Sequence, residues 1–530
     1  MTMQPPLPGR GPQGGHPPPG PYGPPHGSYP TPGPAQPGPM WRPNPPGPPP
    51  PDRRRARRIA VTAIVAVVVV AAAGAVFLLT RGGGGGSAEA GTPAGKDYEA
   101  GVQELGAAEV VWQVEQGVAT GAAAADDYWL TDEHLVRRLP GRVVAYELTT
   151  GKEAWELPVG KVDDDRCPSS VEHSSLRVAL LVATGEGVAS ACEQLVVVDI
   201  GAGKEVATAD LPPIGAQKTG AGDVPVVFGE RVVIPGSAGT RVLDITNGAV
   251  VSMPNPESAC KSEKVALFGD LLLAQAKCAN EEGTSIRLRS FDANLAPVWE
   301  WATPEGEDGQ PLPVLGVLSL DPLVVEVGHS GHGSQLMRVD PTSGETVPIS
   351  EYTGYGGKYM SACDGLSMGV CEMAKVADGK VILTTVAISV DPDSPDAAAG
   401  MQATDHRNEL VAFDLATGAE AWRTGIVAGR TLSLVPTDDG SVAAYQPKDF
   451  NGTKAILFSV DQENGELAPL LPIGPKADGN EKLHTHLRSA AFRGDNQLAF
   501  WRAGVFVIFR AVHRDSDIGE PDTVAFALPK

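Results

Sequence analysis

The segment VAYELTTGKEAW, residues 144–155, returns as VAFDLATGAEAW at 411–422. Eight of the twelve positions are identical across a separation of 267 residues. Each copy alternates apolar residues with others, reaches an acidic residue, passes through small residues and a glycine, and ends on tryptophan. Alternation with a period of two is the pattern of a half-buried strand. An acidic side chain at the strand's end accepts hydrogen bonds from turn N–H groups, and glycine supplies the positive φ that a short hairpin loop demands. The phrase therefore predicts a β-hairpin. Its indole, early in the returning strand, suits packing against a neighbouring sheet.

The unit recurs along the chain. Glu147 with Gly151 and Asp414 with Gly418 mark the two clear copies. Asp199 with Gly203, Asp244 with Gly248, Asp340 with Gly344 and Asp461 with Gly465 keep the same spacing of four. A seventh unit, LRSFDANLAPVW, keeps Asp292 and Trp299 but lacks the glycine and one residue. Trp155, Trp299 and Trp422 fall early in their returning strands. An eighth strand, GVFVIFRAV at 504–512, has no such turn after it and is expected to be the hairpin strand of a last unit that lacks its outer partner.

The turn positions step by 52, 45, roughly 48, roughly 48, 74 and 47 residues. A repeat of about 45–50 residues holding several short strands is the mark of a β-propeller blade. Each blade is a small sheet with two apolar faces, and only neighbours stacked in a ring bury both. AEVVWQVE at 108–115 reads as an outer strand with Trp112 and no partner before it. It is expected to complete the last blade and close a ring of eight, which removes open sheet edges. Seven blades is the alternative, if one degenerate unit is an insertion.

The pattern D-x-x-T-G-x-x-x-W resembles the repeat of the pyrroloquinoline-quinone (PQQ) type β-propellers. LTTGKEAW and LATGAEAW carry it, and the other units share the acidic residue and glycine only. The resemblance covers residues 107–530 and implies an all-β, eight-bladed, PQQ-like propeller of the WD40/YVTN-like class. Repeats of this type occur in quinoprotein dehydrogenases, in non-enzymatic scaffolds and in extracellular sensor domains. The layout also resembles membrane-anchored propeller proteins of high-GC Gram-positive bacteria. For the dehydrogenases, the resemblance implies a quinone held between a Trp floor and a disulfide of adjacent cysteines, with a bound Ca²⁺. No two cysteines are adjacent here. No catalytic residue, cofactor-binding residue or metal ligand is assigned, and neither PQQ with calcium nor any other cofactor is expected.

The first 51 residues hold 22 of the 48 prolines. So biased a stretch cannot bury enough apolar surface to offset the entropy of ordering. Residues 1–58 are therefore expected to be a disordered tail. Its PPGPPPP at 45–51 is a polyproline II segment of the kind that docks in aromatic grooves, so a cytoplasmic partner of the tail is one expectation and a solvated tail the other. IAVTAIVAVVVVAAAGAVFLL at 59–79 carries no charge. Its 21 residues, at about 1.5 Å each, span roughly 30 Å of hydrocarbon, and a transmembrane helix over 59–80 is predicted. Arg53, Arg54, Arg55, Arg57 and Arg58 precede it and Arg81 alone follows closely. This asymmetry places the N-terminus in the cytoplasm and the C-terminal domain outside the cell. The length of the leading segment and of the apolar run favours a retained signal-anchor over a cleaved signal peptide. Residues 81–106, with GGGGGSAEAGTPAG, are a flexible linker.

Charge is segregated too. The chain carries −22 in all and its first 81 residues +7, so the remainder carries −29. Such an acidic domain excludes a nucleic-acid partner, whose phosphates need clustered Lys or Arg.

Six cysteines lie in this domain. Neighbour pairing of Cys167 with Cys192, Cys260 with Cys278 and Cys363 with Cys371 would staple loops within single blades in an oxidising compartment. Their spacing is not that of a zinc site. His484 and His486 share one face of a possible strand but find no third ligand. GHSGHG at 328–333 lacks the last glycine of a nucleophile elbow. The acidic runs VDDDR at 162–166 and DPDSPDAAAG at 391–400 read as solvated loops rather than calcium sites. The insertion at 350–405 is the first candidate for gripping a partner, because long loops on a rigid scaffold are where binding concentrates. The expected function is a binding or scaffolding module at the cell membrane, with an extracellular protein or polymer as ligand. A quinone- or metal-dependent oxidoreductase and a sensor signalling through the tail are the alternatives.

Overall fold

The computed structural model describes residues 107–115, 124–125, 127–139, 141–160, 167–183, 192–211, 224–236, 240–253, 260–280, 283–329, 333–353, 357–363, 368–369, 371, 373–389, 406–425, 431–437, 440–447, 455–473, 499–509, 512–513 and 521–528. The tail, the apolar segment at 59–80 and the linker lie outside these residues.

The described strands form seven four-stranded sheets and one three-stranded sheet, each antiparallel, together with two short two-stranded ribbons. Blade 1 holds Tyr128–Leu130, His134–Leu139, Arg142–Glu147 and Glu153–Pro158. Blade 2 holds Arg177–Ala183, Cys192–Asp199 and Lys204–Asp210. Its innermost place is taken by residues 167–174, which touch the first of those strands through the bridges Ser169–Leu180 and Ser174–Arg177. Blade 3 is Val226–Phe228, Arg231–Ile234, Arg241–Asp244 and Val250–Ser252. Blade 4 is Cys260–Phe268, Leu271–Asn280, Gly283–Phe291 and Pro297–Ala302. Blade 5 is Val314–Leu320, Leu323–His329, Gly333–Val339 and Thr346–Thr353. Blade 6 is Ala374–Ala377, Lys380–Thr384, Leu410–Asp414 and Glu420–Arg423. Blade 7 is Ser433–Val435, Ala443–Gln446, Ala455–Val460 and Leu467–Ile473. Blade 8 joins Ala499–Arg502, Val505–Phe509 and Pro521–Ala527 to the N-terminal strand Glu109–Glu115.

The chain is thus an all-β, eight-bladed propeller. Eight apolar clusters, one at each seam, combine residues of neighbouring blades. One joins Val136, Val143 and Ala145 of blade 1 to Val178, Leu180 and Val196 of blade 2. Another joins Trp112, Phe500 and Phe509 of blade 8 to Leu135 and Leu148 of blade 1. That last seam is the closure, and there the N-terminal strand pairs with Pro521–Ala527. Arg137 strengthens it by donating from Nη1 to Thr523 Oγ1 at 2.7 Å.

One detail of the sequence reading is corrected. GVFVIFRAV is the second strand of blade 8, not its hairpin strand. Val505–Phe509 is buried at every position because blades cover both its faces, so it reads as a continuous apolar run without alternation. The third strand is Pro521–Ala527. In the seventh unit Trp299 pairs across from Ser290, as Trp155 does from Ala145, and packs against the seam with blade 5, although the position above the Gly344 Cα is open. Trp301, two residues on, is the buried indole of that strand. In the same unit Leu295 takes the positive φ of 63° where glycine is missing. Burial of its side chain in the seam with blade 3 offsets the strain of that conformation.

Elsewhere the turn glycine does two jobs. Gly151, Gly203 and Gly465 have φ of 65°, 63° and 73°. Each also lies under an indole from the preceding blade: Trp112 over Gly151, Trp155 over Gly203 and Trp422 over Gly465. A Cβ added at Gly203 would stand 2.5 Å from the Trp155 ring, whereas one at Gly248 would meet nothing within 4 Å. Both alanine substitutions force a left-handed alanine, which costs about 1–2 kcal/mol. Gly203→Ala must also displace the ring, adding about 1–3 kcal/mol. Denaturant unfolding is expected to show Gly203→Ala as the more damaging; equal losses at the two positions would contradict the docking.

Candidate functional site

In a four-stranded antiparallel blade, alternate connections leave at opposite faces. First-to-second and third-to-fourth connections are mostly tight, such as Gly229–Glu230 and the acid–glycine turns. The opposite face carries the connections between blades and those between second and third strands. It gathers the long ones: 354–373 between blades 5 and 6, 385–409 within blade 6 and 474–498 between blades 7 and 8.

The acidic residues of the tight turns are spent on the backbone. Asp199 Oδ1 accepts from the N–H groups of Gly201 and Ala202, Asp292 from those of Asn294 and Ala296, and Asp461 from those of Glu463 and Asn464. The Thr246 hydroxyl on Asp244, the Thr342 N–H on Asp340 and the Thr417 hydroxyl on Asp414 hold those carboxyls below the usual carboxylate range. Glu147 accepts from the Thr150 hydroxyl at 2.6 Å. These groups shape hairpins and offer no free ligand set.

The cysteines are joined as three pairs: Cys167–Cys192, Cys260–Cys278 and Cys363–Cys371. The first ties the innermost segment of blade 2 to a strand of the same blade, and the second joins facing positions on the first two strands of blade 4. The third closes a ring within the connection from blade 5 to blade 6. Gly316, on the innermost strand of blade 5, makes room for its sulfurs, which a Cβ there would strike.

That connection packs on the inner side of blade 5. Val317 of the innermost strand of blade 5 donates its N–H to the Met368 carbonyl at 2.9 Å. Met368 is fully buried in the seam between blades 4 and 5, with Ala266, Val317 and Leu323. Gly369, next along, approaches Ala266 of blade 4 and also Glu172 of blade 2: a Cβ added to it would be 3.6 Å from Ala266 Cβ and 2.9 Å from Glu172 Oε1. Blade 4 adjoins blade 5 in the ring, whereas blade 2 does not.

One carboxyl holds this connection to blade 5. Glu326, on the second strand of blade 5, is fully buried. It accepts from the Cys363 N–H at 2.8 Å, from the Ser361 hydroxyl at 2.9 Å and from the Ser334 hydroxyl. Glu172 lies in a bulge of the innermost segment of blade 2, between Ser170, bonded to Ala179, and Ser174, bonded to Arg177. The residue as a whole is half-buried, but its carboxyl end is shielded and burial pushes its pKa up to about 8. The bulge is fixed from blade 1. Arg138 Nη1 donates to the Cys167 carbonyl at 2.6 Å and Nη2 to the Leu181 carbonyl at 3.0 Å, and Trp129 Nε1 donates to the Ser170 carbonyl at 2.8 Å.

Of the residues singled out in the sequence, the structure packs Cys363 and Cys371 against the seam of blades 5 and 6 and spreads the turn residues around the tight-turn face. Gly328 and Gly333 flank the second-to-third hairpin of blade 5, not the strand-to-helix turn of a nucleophile elbow. His484, His486 and the runs 162–166 and 391–400 lie outside the described residues. Glu326 had a visible signal, a lone carboxylate inside the apolar run LVVEVGH. Glu172, in SSVEHSS, had none.

No protein-family model matches the chain, and no curated protein matches it. Solved structures do. The quinohemoprotein alcohol dehydrogenase ADHIIG from Pseudomonas putida HK5 is 11% identical with a TM-score of 0.41, over 79% of this chain and 76% of that one. Hsv2 from Kluyveromyces lactis is 10% identical with a TM-score of 0.37, over 66% and 98%. The β-propeller domain of Cps50 (Swd1) from Myceliophteria thermophila is 12% identical with a TM-score of 0.33, over 68% and 98%. Likenesses this distant carry no functional argument.

Proposed function

We propose that the chain is a single-pass membrane protein that presents its propeller outside the cell as a binding or scaffolding module. The observation that carries this reading is the asymmetry of the ring. Long connections gather on one face of a rigid scaffold, while the other face offers tight turns whose acidic groups are spent on their own backbone. Three disulfides suit an oxidising exterior. The arginine-flanked apolar segment supplies the anchor and orientation. The repeat resembles that of the PQQ-type propellers, and the layout resembles that of membrane-anchored propellers of high-GC Gram-positive bacteria. A non-enzymatic role is favoured because the three disulfides join cysteines 25, 18 and 8 residues apart, not two adjacent ones, and the acidic residues of the repeat are committed to turns.

Photocrosslinking in intact cells tests the reading. A crosslinker at Thr385, at the edge of the blade 6 insertion, is expected to give a discrete adduct, and one at Lys152 of a tight turn none. The same adduct from Lys152 alone would reverse the assignment of faces. Protease added to whole cells is expected to remove the propeller; a protected propeller would sink the outward orientation.

A further inference from the structure

Asparagine followed by glycine stands in the third-to-fourth hairpin of two blades, as Asn247–Gly248 in blade 3 and Asn464–Gly465 in blade 7. A further such pair, Asn451–Gly452, lies outside the described residues. We propose that Asn247 is a site of spontaneous covalent modification, closing onto the Gly248 nitrogen as a cyclic imide that water opens to aspartate and isoaspartate, while the indole of Trp422 shields Asn464 from the same reaction.

The atoms balance with water as the one co-reactant. The Gly248 nitrogen gives up its proton to solvent and attacks Cγ of Asn247. The new N–Cγ bond closes the imide, and the side-chain nitrogen takes up a proton and leaves as ammonia. Water then adds to one of the two imide carbonyls. Breaking the bond to Cγ gives aspartate. Breaking the bond to the main-chain carbonyl gives isoaspartate, whose backbone runs through the former side chain. Glycine favours the closure because it has no side chain to obstruct the ring.

The two turns begin from the same local geometry. Asn247 Oδ1 accepts from the Ala249 N–H at 2.7 Å, and Asn464 Oδ1 accepts from the Glu466 N–H at 2.7 Å. Each bond folds the amide over its turn and draws electrons from the carbonyl that is attacked. Gly248 donates its N–H to the Asp244 carbonyl at 2.8 Å, and Gly465 to the Asp461 carbonyl at 2.9 Å. Attack needs that bond to break and the turn to swing.

The turns differ in what covers them. Gly248 is exposed, and the space above its Cα is empty to 4 Å. It leads into Val250–Ser252, a three-residue strand at the outer edge of the blade, where Val250 is 62% exposed. Gly465 is buried beneath the Trp422 ring, whose Nε1 also donates to the Gln462 carbonyl of that turn at 2.9 Å. It leads into the seven-residue strand Leu467–Ile473, which begins on a buried leucine. Local opening is cheap where few apolar contacts resist it. The blade 3 turn opens by lifting one short strand, whereas the blade 7 turn must first move an indole packed in a seam. Asn247 is therefore expected to convert about ten to a hundred times faster than Asn464, the ratio set by the cost of moving the ring. Isoaspartate adds a main-chain carbon ahead of Val250, which upsets the pairing of Val250 with Leu243 and of Val251 with Val242.

Full-length protein held at neutral pH and sampled over weeks tests this. Peptide mapping separates the asparagine, aspartate and isoaspartate forms of each turn. Both acid forms are expected at Asn247, with Asn464 intact. In guanidinium, where the fold is lost, the two sites are expected to convert at similar rates. Trp422→Ala is expected to bring Asn464 up toward the rate of Asn247 while leaving Asn247 unchanged. Equal rates in the folded wild type, faster conversion at Asn464, or an intact Asn247 would overturn the proposal. So would the full difference persisting in guanidinium, or an Asn464 still protected in Trp422→Ala.

Discussion

Trp112→Ala is expected to lower the unfolding free energy of the full chain by about 3–5 kcal/mol, the range for a buried large aromatic truncated in a packed core. The indole belongs to the N-terminal strand that completes blade 8, and it does three things there. It is buried, with 7% of its surface exposed, in the cluster shared with Leu135, Leu148, Phe500 and Phe509. Its Nε1 donates to the Leu148 carbonyl at 2.8 Å. Its ring lies over Gly151 of the blade 1 turn. Losing it empties the closing seam and leaves Leu148's carbonyl without its indole donor. Val111→Ala on the same strand is the control, because that side chain is 44% exposed and surface changes fall within about 0.5 kcal/mol. Chemical denaturation followed by tryptophan fluorescence separates the two. Equal and small losses would mean that the N-terminal strand does not carry the closure. Heating Trp112→Ala is further expected to give aggregates, since a loosened outer strand bares the edge of Pro521–Ala527.

The closure was readable in advance because each part of it has a local signature. AEVVWQVE alternates, has its Trp and lacks a partner, so it had to pair at a distance. Six blades were readable from acid and glycine four apart, a seventh from Asp292 with Trp299, and the eighth only from the expected closure, which left seven blades as the alternative that the sheets decide against. Blade 8 was readable only in part. Its third strand, Pro521–Ala527, is followed by no hairpin, since its outer neighbour comes from the other end of the described domain. The acid–glycine signal is therefore missing and the apolar second strand stood out instead. Trp299 and Trp301 show a different limit. Both project to one face of the strand, and which is buried depends on blade 5, not on the unit that contains them. The approach of Glu172 to Gly369 was the least readable part. Glu172 lies in blade 2 and Gly369 in the connection after blade 5, and no local pattern links the two. Local patterning records which face of a strand is apolar. It holds no record of which distant segments come together.

Glu326→Ala is expected to cost about 1–3 kcal/mol for each buried donor it leaves unsatisfied, the largest share falling on the Cys363 N–H. The carboxylate is fully buried, and it answers three donors: the Cys363 N–H, the Ser361 hydroxyl and the Ser334 hydroxyl. Alanine takes away the acceptor and leaves the Cys363 amide without that bond beneath a disulfide, where water cannot easily replace it. The loss is not spread evenly. Ser334 lies on the neighbouring strand of blade 5 and keeps its ladder pairing, so the sheet survives. Ser361 and Cys363 belong to the connection between blades 5 and 6, whose other bonds to blade 5 include that from Val317 to Met368. Glu326→Ala should therefore loosen Ser361 and Cys363 before it unfolds the ring, with amide exchange at those positions rising first. Glu326→Gln keeps one acceptor and turns an amide N–H₂ toward groups that also donate, so an intermediate loss is expected. If Glu326→Ala melts the whole propeller in one step with no earlier exchange at Ser361 and Cys363, the side chain supports blade 5 itself rather than the connection.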